Sequence, residues 1–441
     1  MPGHADHHML FLLAFVLGTA SLLRAVSAWG SAGYVLAGAS AGVGLWISIE
    51  SILFYSLGAV VLGVAWIWTG AERWRRGSVL YSVTTALVSA LALILERPPT
   101  DWGSTGLDRI SLPYVLIPTL VGLFWLLVPR LDRTLGRAAL AVAGAVATTT
   151  AVLLLNVDFF RGPFAGVDPA VRSLWLRNVP ELQPIFFPST PGGAVRFVAF
   201  LALPVLTWVA LGRRVVRHWG GVGAALLVVG MLYTVMALWE SRWAPYAELV
   251  AGLVLAAHVP ALYAASARWR PGWLAVLARA GLVAGSVVFF PVVAAGAGAV
   301  MDQPLPGNEA AGCDPARAVA ALPPEPVLDI LAHVRHGPRL LYHTPHRVLA
   351  SPYHVASGVL EAYRIMTSRT ESEALEGLEA RGIDLVVLCP VSDQDLFDPT
   401  IGGEATLFGR VLEGALPRWL ERVPTPAGTS ALVLRVVPPP V

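Results

Sequence analysis

The sequence predicts a polytopic α-helical membrane protein of about ten crossings, closed by a C-terminal extracytoplasmic α/β domain. Three observations predict it. The chain is 56% hydrophobic and only 14% charged over 441 residues, too apolar for a soluble globular protein. Its basic residues are all arginine, and they gather in alternate connectors between apolar runs. After residue 300 the composition turns polar and proline-rich, which marks a second domain. Residues 1–300 are therefore read as a transmembrane helical bundle carrying an outer-face loop over 157–195, and residues 301–441 as a soluble domain.

Runs long enough to cross a bilayer lie at 9–28, 31–48, 51–70, 78–95, 113–129, 138–156, 196–212, 221–239, 246–265 and 275–300. The second is rich in Gly, Ala and Ser, and its stretch from Gly33 to Gly44 reads as a helix-packing face because small residues let backbones approach. Arg73, Arg75 and Arg76, then Arg130, Arg133 and Arg137, then Arg213, Arg214 and Arg217, then Arg268 and Arg270 occupy alternate loops, as the positive-inside bias predicts for cytoplasmic ones. This arginine pattern reports topology and does not point to nucleic acid. The other loops hold Asp6, Glu50, Glu96, Asp101, Asp108, Asp158, Asp168, Glu181, Glu240 and Glu248, so carboxylates gather on the outer face. Ten crossings put both chain ends on that side, with no basic flank or cleavage site of a signal peptide before the first run; the expectation is that upstream helices precede Met1.

In the C-terminal domain, Pro338–Tyr342 and Arg347–Ala350 are expected to be strands joined by a turn at Thr344-Pro345-His346, with Gly358–Met366 helical behind them. Thr370 or Ser372 should cap a helix running to Arg381 that Gly382 stops, followed by a strand over Ile383–Leu388. A helix near Leu407–Arg422 and a strand near Ala431–Val436 complete the reading. If the domain is extracytoplasmic, Cys313 and Cys389 can form a disulfide that pins the linker to a strand end; the alternative is two buried thiols.

Three stretches could carry chemistry. Asp6-His7-His8 stands before the first crossing and offers oxygen and imidazole ligands to a divalent ion, or is a solvated tail. The long loop from Asn156 to Arg196 contains Val179-Pro180-Glu181-Leu182-Gln183-Pro184, either a solvated connector or a site, since charge set between crossings is costly unless it works. Glu240-Ser241-Arg242-Trp243 precedes the ninth crossing, where Arg242 can grip a phosphate bidentately, or serve with Trp243 and Tyr246 as an interface anchor. His343, His346 and His354 match no zinc spacing and are read as loop hydrogen-bonding groups. There is no Walker loop, dinucleotide fingerprint, nucleophile elbow or HExxH helix.

Together these stretches resemble the oligosaccharyltransferase catalytic subunits of the GT-C glycosyltransferase superfamily. Asp6-His7-His8 resembles the second acidic motif of that family, with His8 where a second acid is usual. Val179–Pro184 is similar to the external-loop motif whose glutamate reaches the metal and acceptor, and Arg242-Trp243 resembles the arginine that contacts the lipid-linked diphosphate. A terminal outer-face α/β domain is also a feature of the family. The match covers about the last two thirds of such an enzyme. The first external loop, with its essential aspartate, would lie upstream of Met1, and the Trp-Trp-Asp acceptor motif is absent.

The resemblance implies a membrane glycosyltransferase that moves a glycan from a polyprenyl-(di)phosphate carrier to a protein or lipid acceptor on the outer face. Asp6 and Glu181 become catalytic residues, Arg242 binds the donor diphosphate, and Asp6, His8 and Glu181 hold a divalent cation, Mg²⁺ or Mn²⁺. The partners are then the bilayer, the lipid-linked sugar and the acceptor, and the location is a bacterial inner membrane. Without the upstream aspartate, this chain alone is expected to bind a donor poorly and turn over little. Two other classes remain open on the residues: a transporter or flippase, for which His258 and Arg279 are the ionisable residues inside crossings, and a non-catalytic membrane scaffold.

Overall fold

The computed structural model describes residues 7–28, 30–169, 172, 179, 182, 184, 191–266, 272–284, 313–352, 357–390, 393 and 406–437. The chain divides into two compact units, Met1–Gly166 with Asn178–Ala297, and Gly298–Val441 with Val167–Arg177.

The first unit is helical: α1 (His7–Ala28), α2 (Ser31–Ile47), α3 (Ser51–Thr69), α4 (Glu72–Glu96), α5 (Leu112–Leu127), α6 (Thr134–Leu155), α7 (Pro191–Trp239), α8 (Ala244–Ser266) and α9 (Gly272–Ala284). Among the described residues, four helices are long and apolar enough to cross a membrane: α1 over Met9–Ser27, α3, α4 and α6. The apolar helices α2, α5 and the Gly223–Trp239 part of α7 are shorter. Leu13, Leu87, Val142, Val146 and Leu154 point away from the unit, as apolar side chains do when lipid is the solvent. α8 bends by 42° between Ala256 and His258. Pro260 lies one turn on; with no N–H to give the carbonyl of residue 256, it accounts for the bend.

α7 is too long for one crossing at about 1.5 Å per residue, and it is not a straight rod. The Trp208 indole N–H donates to Thr234 Oγ1 at 3.3 Å, and Gly230 and Gly212 lie against Trp208 and Leu227. Residues so far apart in sequence meet only if the segment doubles back. This agrees with two apolar runs, 196–212 and 221–239, separated by Arg213, Arg214 and Arg217.

α2 packs on α4 through its small residues. A Cβ on Gly38 would lie 2.4 Å from the Tyr81 carbonyl oxygen, and Thr85 Oγ1 donates to the Gly38 carbonyl at 3.1 Å. At one end of the bundle, arginines tie connectors together. Arg137, expected in a loop, lies in the first turn of α6, buried, and donates to the carbonyls of Ile67, Leu131 and Asp132. Gly70 closes α3 at φ +65°, and a Cβ there would meet Arg137 Nη1 at 2.6 Å. Arg75 spans likewise to the Trp125 carbonyl.

The second unit holds a five-stranded sheet: β1 (Asp329–Ala332), β2 (Arg347–Val348), β3 (Leu385–Leu388), β4 (Leu420–Val423) and β5 (Leu432–Val436), in the order β2-β1-β3-β5-β4. β2, β1 and β3 are parallel, and β3, β5 and β4 antiparallel. Its helices are α10 (Pro315–Ala320), α11 (Gly337–His343), α12 (Ser357–Met366), α13 (Glu371–Ala380) and α14 (Leu407–Leu412). Thr370 caps α13 in a reciprocal capping box with Glu373, and Gly382 beyond its end takes φ +58°. Cys313 and Cys389 are joined by a disulfide across 5.9 Å between their Cα atoms.

Two expectations fail here. Pro338–Tyr342 is helical, because Pro338 occupies the first turn of α11, where its fixed φ and missing N–H suit a helix start. The helix expected over Leu407–Arg422 stops at Leu412; Gly414 at φ +104° turns the chain, and Leu420–Val423 is a strand paired with β5. The strand Asp329–Ala332 had not been expected.

Candidate functional site

The described connectors that carry acids come together at the other end of the helical unit. Asn156 Nδ2 donates to the Thr105 carbonyl at 2.8 Å, which joins the connector after α6 to the one between α4 and α5. Arg242 joins two more. It lies in a 3₁₀ turn, Ser241–Trp243, between α7 and α8, and its Nη1 donates to Glu50 Oε1 in the α2–α3 connector. Its Nε donates to Glu240 Oε2 at 2.7 Å, and its Nη2 pairs with the same oxygen at 2.7 Å.

The pairing is largely withdrawn from solvent, with the side chains of Arg242 and Glu50 only 11% and 12% exposed. Trp243 Nε1 adds a third bond to Glu240 Oε2 at 3.1 Å. The guanidinium lies 5.1 Å from the Trp243 ring centre and 5.7 Å from that of Phe164, which belongs to the connector after α6. Glu50 occupies the N-cap position of α3, yet its side chain makes no capping bond there. Arg242 thus pairs with two carboxylates, one from its own turn and one from the α2–α3 connector.

Beside this cluster lies an aromatic layer. Phe15 of α1 is 5.1 Å from Tyr246, 5.6 Å from Tyr233 and 5.2 Å from Phe54, centre to centre, and Tyr233 is 6.2 Å from Trp243. Phe15, Phe54 and Tyr233 also wall an apolar cleft of about 70 Å³ between α1, α3, the second part of α7 and α8, lined further by Leu22, Leu226 and Val250.

Of the residues singled out in the sequence, Arg242 is described in full. Asp6 and Glu181 lie outside the described residues, as does the side chain of His8, whose backbone stands in the first turn of α1. Glu50 is the partner that sequence reasoning missed. It is the lone acid in the short turn between α2 and α3, and nothing in a linear reading links it to an arginine 192 residues later. His258 sits buried at the bend of α8, its Nδ1 2.8 Å from the Val254 carbonyl.

The second unit has its own charged cluster. His336 Nε2 lies 3.0 Å from Asp393 Oδ1, and Asp393 is wholly buried. The Cys389 N–H donates to Asp393 Oδ2 at 2.7 Å. Burial alone would raise the Asp393 carboxyl, but the His336 hydrogen bond, the fields of His336 and His333 and the Cys389 N–H hold it below the usual carboxylate range. Burial pushes the neighbouring His333 imidazole down to about 3, so it stays neutral, and its Nδ1 accepts the Arg335 N–H at 3.3 Å.

His336, Cys389 and Asp393 offer ligand atoms within 4.8 Å of one another. They do not fit a metal, because the Cys389 sulfur is committed to Cys313 and supplies no thiolate. His346 accepts the Leu328 N–H at 3.3 Å, a loop-fastening role; His354 lies outside the described residues.

The archaeal oligosaccharyltransferase AglB from Archaeoglobus fulgidus, solved with an inhibitory peptide and a dolichol-phosphate, superposes with a TM-score of 0.63 at 16% identity over 87% of this chain and 52% of that one. The chain is oligosaccharyltransferase-like in fold. The apo form of the A. fulgidus enzyme gives 0.63 at 15% identity over 88% and 53%, and the form tethered to an acceptor peptide with the NVT sequon gives 0.58 at 15% over 88% and 52%. The chain thus spans about half the length of the oligosaccharyltransferases it matches. No protein-family model and no curated protein matches it.

Proposed function

We propose that the chain is a membrane glycosyltransferase of oligosaccharyltransferase type, which moves a glycan from a polyprenyl-(di)phosphate carrier to a protein or lipid acceptor on the outer face of a bacterial inner membrane. The observation that carries this reading is the likeness of fold to AglB over 87% of the chain. It is supported by an arginine at the bundle rim beside an apolar cleft, and by the disulfide of the second unit, which suits an oxidising outer compartment. About ten crossings, with the acidic connectors and the second unit outside, belong to the same proposal.

In this mechanism the prenyl chain lies in the cleft walled by Phe15, Phe54 and Tyr233, and Arg242 binds the phosphates through its guanidinium. Glu181 orients the acceptor nucleophile, which attacks the anomeric carbon as the carbon–oxygen bond to the carrier breaks and the diphosphate leaves with the electron pair. Asp6 and Glu181 would supply carboxylates that suit Mg²⁺ or Mn²⁺, with the His8 imidazole the better match to Mn²⁺; such an ion, when bound, would offset charge on the leaving group. Glu50 and Glu240 are committed to Arg242 and are not assigned to the metal.

The test is glycan transfer from a lipid-linked donor by Glu181→Ala and Arg242→Ala variants. Each should lower turnover about 100-fold or more, read per folded molecule because Arg242→Ala removes a nearly buried guanidinium that two carboxylates share. A flippase or scaffold would show no transfer activity for either substitution to remove.

A further inference from the structure

We propose that the cavity between α5 and α6 is a binding site for one anionic phospholipid, whose acyl chain lies along the two helices and whose phosphate is held by Arg130 and Arg133. The proposal does not depend on the reading of Arg242.

The cavity measures about 340 Å³ and is walled by Leu123, Leu127 and Val128 on one side and by Leu140, Ala147 and Ala151 of α6 on the other. α6 meets α5 tightly at Gly144, where a Cβ would lie 2.7 Å from the Phe124 ring. Beyond that contact Ala147 and Ala151 are too small to fill the space. Thr148, the polar residue of the wall, spends its hydroxyl on the Gly144 carbonyl at 2.9 Å and makes no demand on an occupant. What enters must be hydrocarbon. Leu123 and Leu127 are exposed, so the cavity opens to whatever surrounds the bundle.

Length fits an acyl chain. Leu140 to Ala151 covers about 16 Å of α6 at 1.5 Å per residue. One leaflet of a bilayer is about 15 Å of hydrocarbon, half of a core of about 30 Å. A single chain entering from one membrane surface therefore runs the length of the cavity.

The charged end says which lipid. The cavity ends at Val128 and Pro129, and the residues that follow, 130–133, hold two exposed arginines, Arg130 and Arg133, against one acid, Asp132. Among the described residues neither arginine is in an ion pair. Arg75 reaches the Trp125 carbonyl, which brings the first turn of α4 to the same end; its acid, Glu72, is paired with Arg75, and Arg76 is exposed. Guanidinium groups at the mouth of an apolar slot suit a phosphodiester of net negative charge. A zwitterionic headgroup brings its own ammonium to the same arginines and gains less. A phospholipid seated here would fasten α6, which buries little of its own surface, to the rest of the bundle.

The test uses the full chain purified in detergent, with long-chain phosphatidylglycerol, phosphatidylcholine of the same chains and dihexanoyl phosphatidylglycerol as probes, read by native mass spectrometry and melting temperature. Long-chain phosphatidylglycerol should be retained and should raise the melting temperature. The other two should bind about tenfold or more weakly. Replacing both arginines, Arg130→Gln with Arg133→Gln, should remove the preference for phosphatidylglycerol over phosphatidylcholine. Ala147→Phe, which fills the cavity, should lower retention of both long-chain lipids. Equal binding of these two by the unchanged chain, or a preference that survives the double substitution, overturns the proposal. Unchanged retention by Ala147→Phe puts the lipid elsewhere and overturns it too. A dimer that Ala147→Phe dissociates would make a second copy the occupant, against the proposal. Should Ala147→Phe misfold, Ala151→Leu fills the same cavity with a smaller side chain and should act in the same direction.

Discussion

The two charged clusters of this chain are built from similar parts and do opposite things. At the rim of the helical unit, Arg242 draws Glu50 and Glu240 from connectors far apart in sequence, next to an apolar cleft. In the second unit, Asp393 is sealed at zero exposure, fastened by His336 and by the backbone of a disulfide-bonded cysteine. The first joins two connectors of a helical bundle next to an open apolar cleft. The second fastens a fully buried carboxylate inside a core, where rearrangement would expose a buried charge. Ionic groups meeting in a fold are therefore a candidate site where a cleft lies beside them, as at Arg242.

That contrast can be broken by substitution. Arg242→Ala should have the largest effect, lowering donor-dependent glycan transfer about 100-fold or more, read as initial rates at equal folded protein. Asp393→Ala should leave the rate per folded molecule unchanged but destabilise the second unit by about 3–5 kcal/mol, read by chemical or thermal unfolding, because it removes a buried carboxylate that His336 and the Cys389 N–H both bond. Loss of transfer in folded Asp393→Ala would erase the distinction between the clusters.

Acid sharpens the comparison further. The folded pKa of His333 is depressed to about 3, so below its unfolded value near 6.5 the unfolded chain binds a proton that the folded chain refuses. Stability of the second unit should fall between about pH 6.5 and pH 3, by on the order of a few kcal/mol. Asp393, also depressed, contributes stability that is lost as pH falls through its folded pKa, in the same direction. His333→Phe should flatten the upper part of that profile, as followed by circular dichroism. The smallest effect belongs to the capping box: Thr370→Ala should cost about 1 kcal/mol in the same unfolding measurement, with no effect on transfer.

Much of the scaffold could be read from residues because its causes are local. Apolar length announces α1, α3, α4 and α6; small residues announce the α2 face that meets α4; Thr370 and Gly382 announce the ends of α13. Failures came where local signals conflict. The apolar stretch after Pro338 reads as a strand until proline is given its role as a helix starter. β1, only four residues long and following Pro323, Pro324 and Pro326, gives too short a pattern to stand out, and β4 depends on pairing with β5. In the site, Arg242 announced itself through its aromatic and acidic neighbours, whereas Glu50 became visible only once the helices had packed.

The most direct test is the structure of the chain with an unreactive polyprenyl-diphosphate analogue bound. The account predicts a phosphate oxygen within about 3 Å of the Arg242 guanidinium and the first prenyl units between Phe15, Phe54 and Tyr233. An analogue seated elsewhere, with the Glu50–Arg242–Glu240 pairing undisturbed, would contradict it.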